Sequence, residues 1–114
     1  MRIQVKGRPG VTIDGGLRSH VEKKLEKVAR QVSTLAELEV ELSEERNRAI
    51  RESQVAEATL HLKGVTLRAR EASTDMVHSV NEAAEDLARQ VKKHRAKRRH
   101  RREAKQASPR LELH

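Results

Sequence analysis

A chain of 114 residues with 25 Lys+Arg, 17 Asp+Glu and a net charge of +8 is one domain with a tail. It has no Phe, Tyr or Trp, which excludes the base-stacking platforms of RRM and OB modules, so any nucleic acid is read through phosphate, sugar and shape. It has no Cys, which excludes disulfides, thiolate metal sites and thiol nucleophiles.

The charge is localised. Residues 1–91 hold 15 Lys+Arg and 15 Asp+Glu, whereas residues 92–114 hold 10 Lys+Arg against Glu103 and Glu112. A neutral body with a basic arm follows, and that distribution points to nucleic acid as the partner. The first residues, Met1-Arg2-Ile3-Gln4-Val5, are no signal peptide, and no apolar run approaches membrane-spanning length. The expectation is a cytoplasmic protein with no membrane contact.

In chain order, Arg2 to Lys6 alternates with Ile3 and Val5 on one side and reads as a short strand. Gly7-Arg8-Pro9-Gly10 is a turn, and Val11-Thr12-Ile13 extends the strand or links it onward. Asp14 is a good N-cap for a helix from about Gly15 to Gln31, with Leu17, Val21, Leu25, Val28 and Val32 as its apolar stripe. His20, Lys23, Lys27 and Arg30 fall together on one side of that helix and Glu22 and Glu26 on another. The plain reading of this side is a solvated face with one-turn pairs such as Glu22–Glu26–Arg30 partly compensating.

Leu38 to Leu42 alternates strictly, with Leu38, Val40 and Leu42 inward and Glu39 and Glu41 outward. Ser43 to Ser53 is a polar hairpin loop made basic by Arg46, Arg48 and Arg51. Ala56, Ala58, Leu60 and Leu62 then face in, Lys63-Gly64 is a tight turn, and Val65, Leu67 and Ala69 face in again. These three strands make an antiparallel meander.

The last element spans about Asp75 to Lys105. Met76, Val80, Ala83, Ala84, Leu87, Ala88 and Val91 recur at spacings of three and four, and Ser73, Thr74 and Asp75 offer three N-caps. Acids come early and bases late, which complements the helix dipole and sets Glu85 one turn from Arg89. After Val91 the apolar face stops and residues 92–102 carry eight Lys+Arg and no acid. This arm is expected to present charge all round. Residues 107–114 read as a disordered tail, linker or remnant, leaving 1–106 as the binding domain.

The order strand, helix, three strands, helix, with one apolar face per element, gives an α+β fold. It is a βαβββα arrangement, with a right-handed crossover joining two parallel strands and both helices on one face of a four-stranded sheet. The other sheet face is left to solvent with Glu39, Glu41, Glu57, His61, Arg68 and Arg70.

The stretches Val21-Glu22-Lys23-Lys24-Leu25-Glu26-Lys27, Thr59 to Ala69, Glu71-Ala72-Ser73-Thr74-Asp75-Met76 and Gln90-Val91-Lys92-Lys93, in that order, resemble the ribosome hibernation promoting factor family, also called the ribosome-associated inhibitor or S30AE family. The resemblance covers about residues 1–102. It implies the same βαβββα fold, similar to double-stranded RNA-binding domains. It further implies a protein that binds the small ribosomal subunit in the cleft between head and body. There it would occupy the mRNA path and the A and P tRNA sites, and so inhibit translation in stationary or stressed cells. Carried over by position, the rRNA-binding residues are Lys23, Lys24 and Lys27 on the first helix, and Arg89, Lys92, Lys93, Arg95, Lys97, Arg98 and Arg99 on the second. Arg8, Arg46 and Arg48 are weaker candidates. Long members add a C-terminal domain that pairs two ribosomes. That domain is absent from these residues, and the expectation is a monomer. The absence of aromatic residues departs from many relatives.

Two other readings compete. A polycationic run alone suits a generic nucleic-acid-binding protein. A peptide-release enzyme would need a Gly-Gly-Gln tripeptide, but Gly15-Gly16 is followed by Leu17. The histidines at 20, 61, 78, 94 and 100 show no metal spacing such as HExxH. His61 reads as a surface residue and His94 and His100 as extra donors within the polycation. No nucleophile–base set is visible. The expectation is a non-enzyme with no cofactor, no metal and no small-molecule substrate.

Overall fold

The computed structural model describes residues 1–47 and 49–112, with side chains to residue 104. Arg48 and residues 113–114 lie outside the described residues. The elements are β1 (Arg2–Gly7), α1 (Gly15–Ala29), β2 (Glu37–Glu44), β3 (Gln54–Leu62), β4 (Val65–Ser73) and α2 (Met76–Glu112). The four strands form one sheet in the order β1-β2-β3-β4, with β1 parallel to β2 and the remaining pairs antiparallel. This is the expected βαβββα architecture.

Register follows the alternation in the sequence. Val5 lies beside Val40, Leu38 beside Leu60, and Leu60 beside Leu67, so one face of the sheet is apolar across its width. Both helices cover that face. Val21, Leu25 and Val28 of α1 and Val80, Leu87 and Val91 of α2 are almost completely buried against it, together with Leu38, Leu42 and Leu60. With no aromatic residue available, the core is filled by Val, Leu and Ala. At the β3–β4 turn Leu62 pairs with Val65, so Lys63-Gly64 is a two-residue loop, and Gly64 supplies the positive φ of +79° that such a turn requires.

The opposite face is open and polar. Its centre brings Glu41 directly opposite Glu57, an arrangement of like charges that weakens a sheet. Each carboxylate has its own cation: Arg8 binds Glu41, and Arg70 lies 3.8 Å from Glu57. His61 approaches Glu39 at 3.9 Å. Val55 sits on this face yet is 5% exposed. It lines a recess with Arg8, Pro9, Ser43, Arg46 and Arg70, so the segments flanking β1 and β2 shield it.

The helix starts use the expected caps. The Asp14 carboxylate accepts the Leu17 N–H at 2.7 Å, and Asp75 accepts the His78 N–H at 3.3 Å. Ser73 plays a different part from a cap. It is buried and meets the buried Ser79 hydroxyl at 2.7 Å, and Ser79 donates to the Gln54 carbonyl at 2.6 Å. The start of α2 is thereby fastened to the sheet. Two expectations are corrected. Arg89 pairs with Asp86 at 3.8 Å rather than with Glu85, because neighbours three residues apart are also in reach on a helix. The helical backbone continues to Glu112, past the boundary expected near Lys105. The run Ala104-Lys105-Gln106-Ala107 is rich in good helix formers, and no Gly or Pro precedes Pro109.

Candidate nucleic-acid interface

The two helices lie side by side and run in the same direction. His20, early in α1, donates from Nε2 to the Asn81 side-chain oxygen early in α2 at 2.7 Å. The later parts of both helices border one groove of about 490 Å³. Its α1 wall carries Lys23, Lys24, Lys27 and Arg30, and its α2 wall carries Arg89. Ala84 and Ala88 form the floor, and Glu26 and Glu85 are the acids beside it. Glu26 is engaged by Arg30 at 3.3 Å. Lys23, Lys24 and Lys27 are exposed and form no ion pair among the described residues.

The α2 wall continues into the arm. At 3.6 residues per turn, Lys92, Arg95, Arg99 and Arg102 prolong the row that contains Ala84 and Ala88. Arg95, Arg98, Arg99 and Arg102 gather around a recess of about 190 Å³ on the helix surface. Lys93 follows Arg89 by one turn along the outer edge of that wall, and Lys97 falls on the far side of the helix. The arm therefore carries charge all round, as expected, with an arginine cluster in line with the groove as a feature of its own. All of Lys92, Lys93, Arg95, Lys97, Arg98 and Arg99 are exposed.

The sequence-derived sites thus divide in space. Lys23, Lys24, Lys27 and Arg89 share the groove, and Lys92, Arg95, Arg98 and Arg99 extend it. Arg8 and Arg46 stand apart: they border the recess over Val55 at the end of the sheet where both helices begin. Arg8 is committed there to Glu41. Arg48 lies outside the described residues.

Two cations not chosen from the sequence join the cluster by position, and a third lies at the same end of the sheet. Arg30 belongs to the His20-Lys23-Lys27 row, a visible signal that its spacing already carried. Arg102 belongs to the arginine recess. Lys63 sits in the β3–β4 turn, at the end of the sheet toward which α2 runs once Gln90 has bonded the Arg68 carbonyl at 2.7 Å. Among the described residues no three His, Asp or Glu side chains are placed to hold a metal ion, and no helix is long and apolar enough to cross a membrane.

Residues 3–99 match the family described as sigma 54 modulation protein / S30EA ribosomal protein. The chain belongs to this family. A ribosome hibernation promotion factor of Picosynechococcus sp. is 30% identical over 98 residues, covering 85% of this chain and 50% of that protein. A ribosome hibernation promoting factor of Azotobacter vinelandii is 28% identical over 97 residues, covering 85% of each. The chain thus spans about half the length of the first relative. Among solved structures, a ribosomal subunit interface protein from Coxiella burnetii superposes with a TM-score of 0.70 at 27% identity, covering 84% of this chain and 99% of the other. The N-terminal domain of Thermus thermophilus Protein Y gives 0.69 at 28% identity, covering 82% and 99%. These neighbours share the four-stranded sheet with two helices.

Proposed function

We propose that this chain is a ribosome hibernation factor. It binds the small ribosomal subunit at the mRNA and tRNA channel, covers the A and P sites, and holds translation off in stationary or stressed cells. The observation that carries the reading is the merging of two basic rows. One helix brings Lys23, Lys24 and Lys27, the other brings Arg89, and the groove between them runs on into Lys92, Arg95, Arg98 and Arg99. Family membership and the names of the relatives support a ribosomal partner.

The chemistry of the site suits rRNA. Phosphates meet cations on two rigid helices, and no aromatic side chain is needed because a folded rRNA surface is met through its backbone and shape. Lys93 continues the row of Arg89, and Lys97 faces away from the groove and meets RNA on the other flank of the arm. The mode of action is occupancy without turnover, by a protein that needs no cofactor and works in the cytoplasm as a monomer.

A cell-free translation system titrated with the protein tests this. Inhibition saturating near one protein per ribosome, and relieved by added small subunits, is the expected result. Full inhibition far below one protein per ribosome would mark an enzyme. Equal affinity for naked DNA and small subunits would mark a generic polycation acting through its arm.

A further inference from the structure

The floor of the inter-helix groove is as informative as its walls. Ala84 is 6% exposed, and Ala88, one turn later, is partly buried and packs on the core. Two small residues in succession leave a trough between α1 and α2 where larger side chains would fill the gap and bring the surface flush. The trough is bordered by five cations and two carboxylates, one of which, Glu26, is already neutralised by Arg30. A methyl-lined floor between cationic walls is of little use for attracting a polyanion at long range, where charge alone suffices. It suits close approach by a strand whose centre is weakly polar and whose edges are anionic.

We infer that Ala84 and Ala88 form a seat for one RNA backbone strand. Ribose lies against the alanine floor, and the flanking phosphates reach Lys23 and Lys27 on one side and Arg89 on the other. The occupant is RNA because the site is charge-complementary to phosphate and continuous with the basic row of the arm. A small anion would be satisfied by the walls and would leave the floor unused. This inference rests on the rRNA-binding reading and deepens it: the depth of the groove, set by two alanines, fixes how far the strand enters and how many phosphates it can touch. Ala88 is on this account a positioning residue that carries no charge itself.

The test keeps every charge and changes only depth. Ala88→Leu and Ala88→Gln each raise the floor, and both use good helix formers at a partly exposed position. Binding to purified small subunits is measured across a salt series, with a thermal melt of each variant. The expected result is a loss of about tenfold or more in affinity. The slope of log K against log salt should also flatten by roughly one to two units, since phosphates held off the walls release fewer counterions. At least one of the two variants should do this with its melt intact. Parental affinity and slope in a folded variant would overturn the seat. Lys23→Gln with Lys27→Gln in the same assay separates the two levels. If this pair loses binding while the folded Ala88 variants keep it, the seat falls and the rRNA reading stands. If neither loses binding, the rRNA reading falls and the seat with it.

Discussion

The smallest features decide where the elements sit. The Ser79 hydroxyl is fully buried and holds together the start of α2, Ser73 and the Gln54 carbonyl at the first residue of β3. Ser79→Ala removes the side-chain bond that ties α2 to the Gln54 carbonyl and takes one partner from the buried Ser73 hydroxyl, and the loss of such a hydrogen bond costs about 0.5–1.5 kcal/mol. Denaturant unfolding should show this loss, and an unchanged midpoint would mean that the hydroxyl cluster contributes nothing. On the open sheet face, Glu41 and Glu57 are tolerated side by side because Arg8 and Arg70 attend them. This local job explains why Arg8, a candidate by sequence, stands outside the basic groove. Which carboxylate an arginine selects depends on side-chain rotamers and on cross-strand neighbours, so residue spacing identified neither Arg8–Glu41 nor Arg89–Asp86.

At the scale of elements the sequence was far more explicit. Period-two alternation gave β2, β3 and β4 with their inward residues, and the three-and-four spacing gave the buried faces of α1 and α2. One buried face forces one register, so the alternation alone places Leu38, Leu60 and Leu67 on the same side of the sheet. Leu60 and Leu87 are both completely buried. Leu60→Ala and Leu87→Ala should therefore each cost about 2–5 kcal/mol, read as a lowered melting temperature, and melts unchanged by both would contradict this packing. Ends were less legible than faces. The α2 backbone runs past the expected boundary because a gradual change in composition carries no stop signal until Pro109. Val55 was missed because its shielding comes from segments distant in sequence. Within the candidate site, the two basic rows were legible as helix faces. Their meeting across one groove was not, since it depends on the two helices running in the same direction.

The whole molecule measures 66 × 30 × 18 Å, and α2 accounts for its long dimension: 37 residues at about 1.5 Å each reach roughly 55 Å. On the proposed reading, a neutral body and a protruding basic helix divide the work of binding. If the arm supplies counterion release, Arg95, Lys97, Arg98 and Arg99 changed together to Gln should flatten the salt slope for small-subunit binding by about 2–4 units. A slope that stays put would remove the arm from the interface. The groove would then supply position, because its cations stand on helices pinned to the core and to each other through His20 and Asn81. The most direct test of this division is tRNA displacement from purified small subunits at saturating protein and matched salt. It compares the arm variant with one that loses the same charge from Lys23, Lys24, Lys27 and Arg89, each changed to Gln. The arm variant should still exclude tRNA from the A and P sites once enough is bound, while the groove variant should bind without excluding it. Full blocking by the groove variant together with none by the arm variant would contradict the interface assigned to α1 and α2.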